Sequence, residues 1–342
     1  MLYTVTLNPT IDRSLSLQGN LIPGDLNRAT LSGVCAGGKG INCARAASGM
    51  GGKAVAYTLI GKDNVEEFEK STQSLSLEIR AEMKSGVTRT CIKMHNSNGM
   101  VTECNESGSK ISANEMRNLM SRLLSDMKEE GKPAFLLLCG SVPAGTENSV
   151  YADMIALFNK LGILVMLDCE GETLKKGIES SPYLVKPNLS ELEGLVEKNL
   201  SSVEEIANTV KELSDRYNTK ILVTIGADGM IYADKDRVLK VTVPDLKVST
   251  TVGAGDTVLG VLAASLERGL DIEKSLQLAA AASCAKVTAL PGQFPSKKEV
   301  MSYLDKIEVE DISKKSETDK LTFEENVEDN ITIEEEFFSS ND

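Results

Sequence analysis

The sequence predicts an α/β protein: a three-layer α/β/α sandwich around a mostly parallel central sheet, with a small β-sheet lid. Three observations predict it. Short apolar runs alternate with stretches of helical periodicity along most of the chain. The runs are continuously apolar, as strands covered by helices on both faces must be. Two other stretches, at about 12–35 and 87–105, alternate polar and apolar residues at period two, the mark of a half-exposed sheet outside the main one.

Each element follows in order. "LYTVTL" opens the chain as a buried strand, and the alternating "DRSLSLQGNLIPGDLNRATLSGV" supplies lid strands. The glycine-rich turn "GVCAGGKG" leads into a helix over 40–50, and "AVAYTLIG" is the next buried strand. "TRTCIKMHNSNGMVTEC" returns to period two, with "NSNG" at its centre as a hairpin signal. A helix over 113–127, the strand "AFLLLCG" and a helix over 149–160 come next. The strands "ILVMLDC" and "YLVKPN" precede a helix entered at Asn188 and another over 203–217. "KILVTIG" is a further strand, and "LVTIGADGMIY" reads as strand, glycine turn, strand. Finally Val258, Leu259, Leu262 and Leu266 recur at helical spacing, so a helix begins near Gly255 or Asp256 and stops at Gly269. One domain over 1–308 and an acidic, disordered tail over 309–342 are expected.

Composition excludes several classes. Hydrophobic residues make up 41% and charged residues 25% of the 342, as in ordinary globular proteins. The net charge of −13 is carried mostly by the tail: 308–342 holds thirteen acids against three lysines, which leaves −3 for the body. A near-neutral body with few aromatics (4%) and no Trp argues against nucleic acid or an anionic membrane as a partner. Seven scattered cysteines without a CxxC point to reduced thiols in a cytoplasmic protein. No basic start or cleavage site suggests a signal peptide.

The chemistry concentrates in four segments. In "TVGAGDTVLGVLAASLERG" the nearly bare backbone of Gly253, Ala254 and Gly255 precedes a helix start. Unpaired N–H groups there suit an anion. Asp256 is then either a cap after a glycine turn or a base beside that anion. "GVCAGGKG" nearly spells a P-loop, but Gly40 stands where a magnesium-binding Ser or Thr is required. It remains a glycine turn carrying one cation, Lys39. In "VKPNLSELEGL", Asn188 and Glu191 form either a capping box or the sparse shell of a hydrated Mg²⁺, with Lys186 on phosphates. The turn in "LVTIGADGMIY" leaves backbone groups for a nucleotide. His95 is the sole histidine and lies on an alternating strand, which makes a Ser–His–Asp mechanism untenable.

Taken in this order over roughly 1–306, these pieces resemble the PfkB family of ribokinase-like sugar kinases. "AGGKGINCARAASGMGG" and "STTVGAGDTVLG" resemble its two signatures, the second with an extra Thr, and "VKPNLSE" resembles its magnesium-associated motif. "TLNPTIDRS" and "TRTCIK" resemble the members that act on phosphorylated ketohexoses, fructose 1-phosphate first and tagatose 6-phosphate second. The resemblance implies transfer of phosphate from ATP, with Mg²⁺, to a sugar hydroxyl. It makes Asp256 the base and Gly253, Ala254 and Gly255 the anion hole. Asp12 would hold sugar hydroxyls beside Gly37, Gly38 and Asn42. Lys39 and Arg89, with Arg28, would grip the phosphate already on the sugar, and Ser141 would close the pocket. Lys186, Asn188 and Glu191 would serve nucleotide phosphate and metal, and Thr224, Gly226, Ala227 and Gly229 would line the ATP side. The lid strands would also clasp a second subunit into a homodimer.

Overall fold

The computed structural model describes residues 1–98, 100–289 and 293–313. The chain runs β1 (Leu2–Thr6), β2 (Thr10–Leu17), β3 (Ala29–Gly37), α1 (Lys39–Gly49), β4 (Ala54–Gly61), α2 (Val65–Thr72), β5 (Glu78–Lys84), β6 (Arg89–His95) and β7 (Val101–Asn105). It continues with α3 (Ala113–Glu130), β8 (Phe135–Cys139), α4 (Val150–Lys160), β9 (Leu164–Asp168), α5 (Gly171–Ile178), β10 (Leu184–Val185), α6 (Leu189–Val196) and α7 (Val203–Tyr217). The remainder is β11 (Lys220–Thr224), β12 (Met230–Ala233), β13 (Val238–Thr242), α8 (Ala254–Glu267), α9 (Ile272–Thr288), α10 (Lys297–Leu304) and β14 (Glu308–Asp311).

Ten strands form the main sheet in the order β14-β13-β12-β11-β10-β9-β8-β1-β4-β5. The pairings from β11 to β5 are parallel, and β12, β13 and β14 add an antiparallel margin. Strand parity sorts side chains onto two cores, as period two demands. Phe135, Leu137 and Cys139 of β8 face the layer of α1, α8, α9 and α10, while Leu136 and Leu138 face that of α3, α4 and α7. The chain leaves β1 toward β4 on one side and reaches β8 on the other. The order therefore reverses at β1, where open α/β sheets place their ligands at the strands' carboxyl ends.

The second sheet, β3-β2-β6-β7, is the expected lid. Its β2 and β6 run parallel, with Thr10 opposite Arg89 and Ser16 opposite His95. The α1 and α8 helices meet closely because Gly260 has no side chain: a Cβ there would strike the Cys43 carbonyl oxygen. A glycine is also required at Gly38, the N-cap of α1, whose φ is 123°.

The structure adds elements the pattern did not reveal. β5, "EIRAEMK", carries charges at an edge, and the alanine-rich α9 is buried around most of its circumference and lacks a polar stripe. The expected domain end at 308 falls at the start of β14, which pairs antiparallel with β13 through Val241 and Val309. The fold therefore continues to Ser313, and the rest of the expected tail lies outside the described residues.

Candidate active site

The glycine turn before α1 sets one wall. Gly37 must be bare because a Cβ would collide with the Asp12 carboxylate and the Thr10 hydroxyl, which are themselves hydrogen-bonded to one another. Asp12 lies on β2 and accepts from Lys93 Nζ on neighbouring β6 at 2.5 Å. One turn into α1, Asn42 Nδ2 donates to Asp256 Oδ2 at 2.8 Å. The turn thus brings Asp12, Gly37, Gly38 and Asn42 together as the sequence implied.

Asp256 stands in the first turn of α8, whose N-cap is Gly253 at φ 77°. The cap position is taken by Gly253 and not by Asp256, so the capping alternative falls away. Only 8% of the residue is exposed, between Asn42 and Gly253, both of which line a cleft of about 840 Å³. Burial, then the charge of Asp168, push its carboxyl up to about 6 against the opposing pull of Lys39 and the Asn42 hydrogen bond. A carboxylate with that pKa is matched to proton removal near neutral pH. Of the backbone donors expected to face an anion, the Ala254 N–H is already engaged, donating to the Thr251 carbonyl at 3.2 Å. The N–H groups of Gly255 and Asp256 remain as first-turn donors without an i−4 carbonyl.

A charge cluster missed by sequence reading lies behind this turn. Asp168, at the end of β9, is fully buried, 2.8 Å from Lys39 Nζ and 3.0 Å from Lys186 Nζ. Burial would raise its pKa, but the two lysines overcome that and hold it low. Burial likewise pulls Lys39 and Lys186 down, and the Asp168 charge, the hydrogen bond to it and the charge of Glu191 together more than reverse it in both. The Lys186 ammonium lies beside Gly255, where a Cβ would stand 3.1 Å from Nζ. "ILVMLDC" did signal the strand; nothing local marked its terminal acid as the counter-ion of two distant lysines.

Lys39 and Arg89 are held apart by different partners. The Lys39 ammonium is held between Asp168 and Glu191 (3.4 Å) and is not joined with Arg89. Arg89 donates to the backbone carbonyls of Asn8 and Glu106. Asn8 Nδ2 in turn donates to Ser141 Oγ at 3.3 Å, so Arg89 and Ser141 share one neighbour, Asn8, that the sequence did not single out. Arg28 is exposed in the segment before β3 and does not line the cleft.

On the expected nucleotide side, Asn188 and Glu191 do form the capping box of α6, with bonds of 2.8 and 2.9 Å. The Asn188 side chain is thereby engaged with backbone, while Glu191 Oε1 still faces Lys39. Among the described residues no group of three or more His, Cys, Asp or Glu is arranged to hold a metal. Of the two carboxylates that share Lys39, Asp168 is fully buried against two lysines, which leaves Glu191 as the one suited to a hydrated cation. Thr224 bridges to Asn188, which places β11 beside that box. Gly226 and Ala227 are exposed in a 3₁₀ turn, but Gly229 has a structural cause: its φ is 84° and a Cβ would strike the Val241 carbonyl.

The comparisons with known proteins agree with this geometry. The model of the pfkB family of carbohydrate kinases matches residues 6–299. A 1-phosphofructokinase of Borreliella burgdorferi is 31% identical over 91% of this chain and 99% of its own length. A tagatose-6-phosphate kinase of Staphylococcus epidermidis is 31% identical over 80% and 88% respectively. The solved phosphofructokinase-2 of Escherichia coli, in complex with substrates and products, superposes with a TM-score of 0.82 at 25% identity, covering 89% of this chain and 98% of its own. With the family model matched over residues 6–299 and a relative 31% identical over nearly its whole length, the chain belongs to the pfkB family of carbohydrate kinases.

Proposed function

We propose that the protein transfers the terminal phosphoryl of ATP to the free primary hydroxyl of fructose 1-phosphate, giving fructose 1,6-bisphosphate and ADP. One observation carries the mechanism: a buried carboxyl, Asp256, bonded to Asn42 at the head of α8 with its pKa raised to about 6. Asp256 takes the hydroxyl proton as the oxygen attacks the γ-phosphorus, and the bond to the ADP oxygen breaks. The N–H groups of Gly255 and Asp256 face the charge on the moving group. Lys186 adds a cation that Asp168 holds in place. Asp12 and Asn42 orient sugar hydroxyls, and Arg89 with Ser141 receives the phosphate already present. Phosphoryl transfer needs little more than such positioning and charge stabilisation.

Glu191, at the start of α6, would hold Mg²⁺ through water, and the ion would neutralise nucleotide phosphate charge. Thr224 and the turn at Gly226 and Ala227 would border the nucleotide. The similarity to a tagatose-6-phosphate kinase supports a second substrate of the same kind. Turnover of a panel of hexose and hexose monophosphates with Mg·ATP decides between them. Fructose 1-phosphate is expected to give the highest kcat/KM, and a preference for an unphosphorylated sugar would overturn the reading.

The lid supports a homodimer. Leu31 and Val34 of β3 are 52% and 39% exposed, and Ile22 and Leu26 of the preceding segment are 56% and 72% exposed. An apolar margin of this kind fits a second copy of the same sheet. Sedimentation at micromolar concentration should give a dimer, and Leu31→Asp should shift it toward monomer. A wild-type monomer would rule the clasp out. A cytoplasmic location is proposed from the seven cysteines, all free thiols. Among the described residues no helix is long and apolar enough to cross a membrane.

A further inference from the structure

Lys286 has no part in the site described above, yet it lines the same cleft. It lies in the last turn of α9, is 3% exposed, and stands beside Gly253. Its Cε is 3.5 Å from where a Gly253 Cβ would be. Among the described residues it forms no ion pair with a carboxylate and no hydrogen bond. Its ammonium is 5.4 Å from the centroid of the Phe294 ring, and the Arg45 guanidinium lies over the same ring at 4.3 Å. Among the described residues, Arg45 has only the Cys35 sulfur as a hydrogen-bond acceptor, at 3.7 Å. Burial and the neighbouring charges of Arg45 and Lys93 lower the Lys286 ammonium to about 8. Lys93, the third cation of this wall, is already matched by Asp12.

Two cations are therefore gathered on one aromatic ring, and among the described residues neither is ion-paired: Asp12 and Asp256 act on them only from a distance. Retaining such a pair costs stability unless an anion completes it. The nearest feature that would hold an anion is the first turn of α8, next to Gly253. We propose that Arg45 and Lys286, together with the Gly253 turn, form an anion subsite that holds the newly transferred phosphoryl group of the ketohexose bisphosphate product. This rests on the phosphosugar kinase reading above. The phosphate already on the sugar belongs, on that reading, with Arg89 and Ser141, neither of which lines this cleft. The cation pair thus addresses the second phosphate, and it distinguishes product from substrate by charge.

The test is calorimetric binding to wild type, Lys286→Met, Lys286→Arg and Arg45→Met. The probes are fructose 1-phosphate, fructose 1,6-bisphosphate, ADP and the β,γ-imido analogue of ATP. Loss of one charge-assisted contact should weaken bisphosphate binding by about 10- to 100-fold in Lys286→Met. Binding of fructose 1-phosphate and ADP should stay within about 2-fold, and Lys286→Arg should recover most of the loss. Circular dichroism checks folding, and Arg45→Met carries the same expectation should Lys286→Met not fold. Equal bisphosphate affinity in all variants overturns the subsite while leaving the kinase reading intact. A loss confined to the ATP analogue also overturns it, because the cations then serve the nucleotide. A wild type that binds no bisphosphate and turns over no phosphosugar overturns both.

Discussion

Asp256→Asn will lower kcat by about 10²–10⁴-fold while leaving fructose 1-phosphate binding within a few fold. The substitution keeps the size of the side chain and its contact with Asn42, and removes only its ability to take a proton. In the wild type, kcat/KM should fall as pH drops below about 6, because the carboxyl then carries a proton and cannot accept another. The variant should lose that acid limb. Removing the Asn42 amide, which pulls this pKa down, should move the limb upward. Steady-state rates between pH 5 and 8 check all three results, and a variant with wild-type turnover would remove Asp256 from the chemistry. The same shift has a stability consequence. A carboxyl whose pKa is raised on folding favours the folded state at pH values below the unfolded carboxyl pKa. That contribution disappears as pH rises through about 6.

Asp168→Asn should destabilise the fold by about 3–5 kcal/mol, since it leaves the buried Lys186 ammonium without its counter-ion and Lys39 with Glu191 alone. Lys186 is 3% exposed and Asp168 0%, so water cannot replace the missing charge. The sign with pH opposes that of Asp256. The lysines hold the Asp168 pKa low, so its contribution is complete above the unfolded carboxyl pKa and is lost only as pH falls through the lowered value. Urea denaturation of wild type and variant at pH 7 and pH 4 measures both the loss and its pH dependence. Equal midpoints would show that the cluster is balanced in some other way. Activity should fall as well, because Lys39 and Lys186 would lose their fixed positions.

Much of this was legible from local pattern. Continuous apolar runs revealed the buried strands, and period-two alternation separated the lid from the main sheet. The run "VGAGD" marked the helix start that carries Asp256. Long-range pairing was not legible. Asp168 ends an ordinary apolar strand, and its meaning depends on Lys39 and Lys186, which other elements deliver. The partner of Lys39 was hidden for the same reason: a cation in a glycine turn looks available to a phosphate until a buried acid captures it. Lys286 sits in an alanine-rich helix with no motif around it. Asn188 showed the reverse case, where a capping box visible in sequence proved to be a capping box in space.

The parallel pairing of β2 with β6 sets the order in which this molecule can be built. Ser14 and Lys93 sit opposite one another although 79 positions apart in sequence, and β4, α2 and β5 all lie between them. During synthesis the wall that carries Asp12 therefore stays incomplete until β6 has left the ribosome. Closing so long a loop is entropically slow. β1, α1 and β4 can pack together first, and the lid sheet is the last part of the N-terminal half to mature.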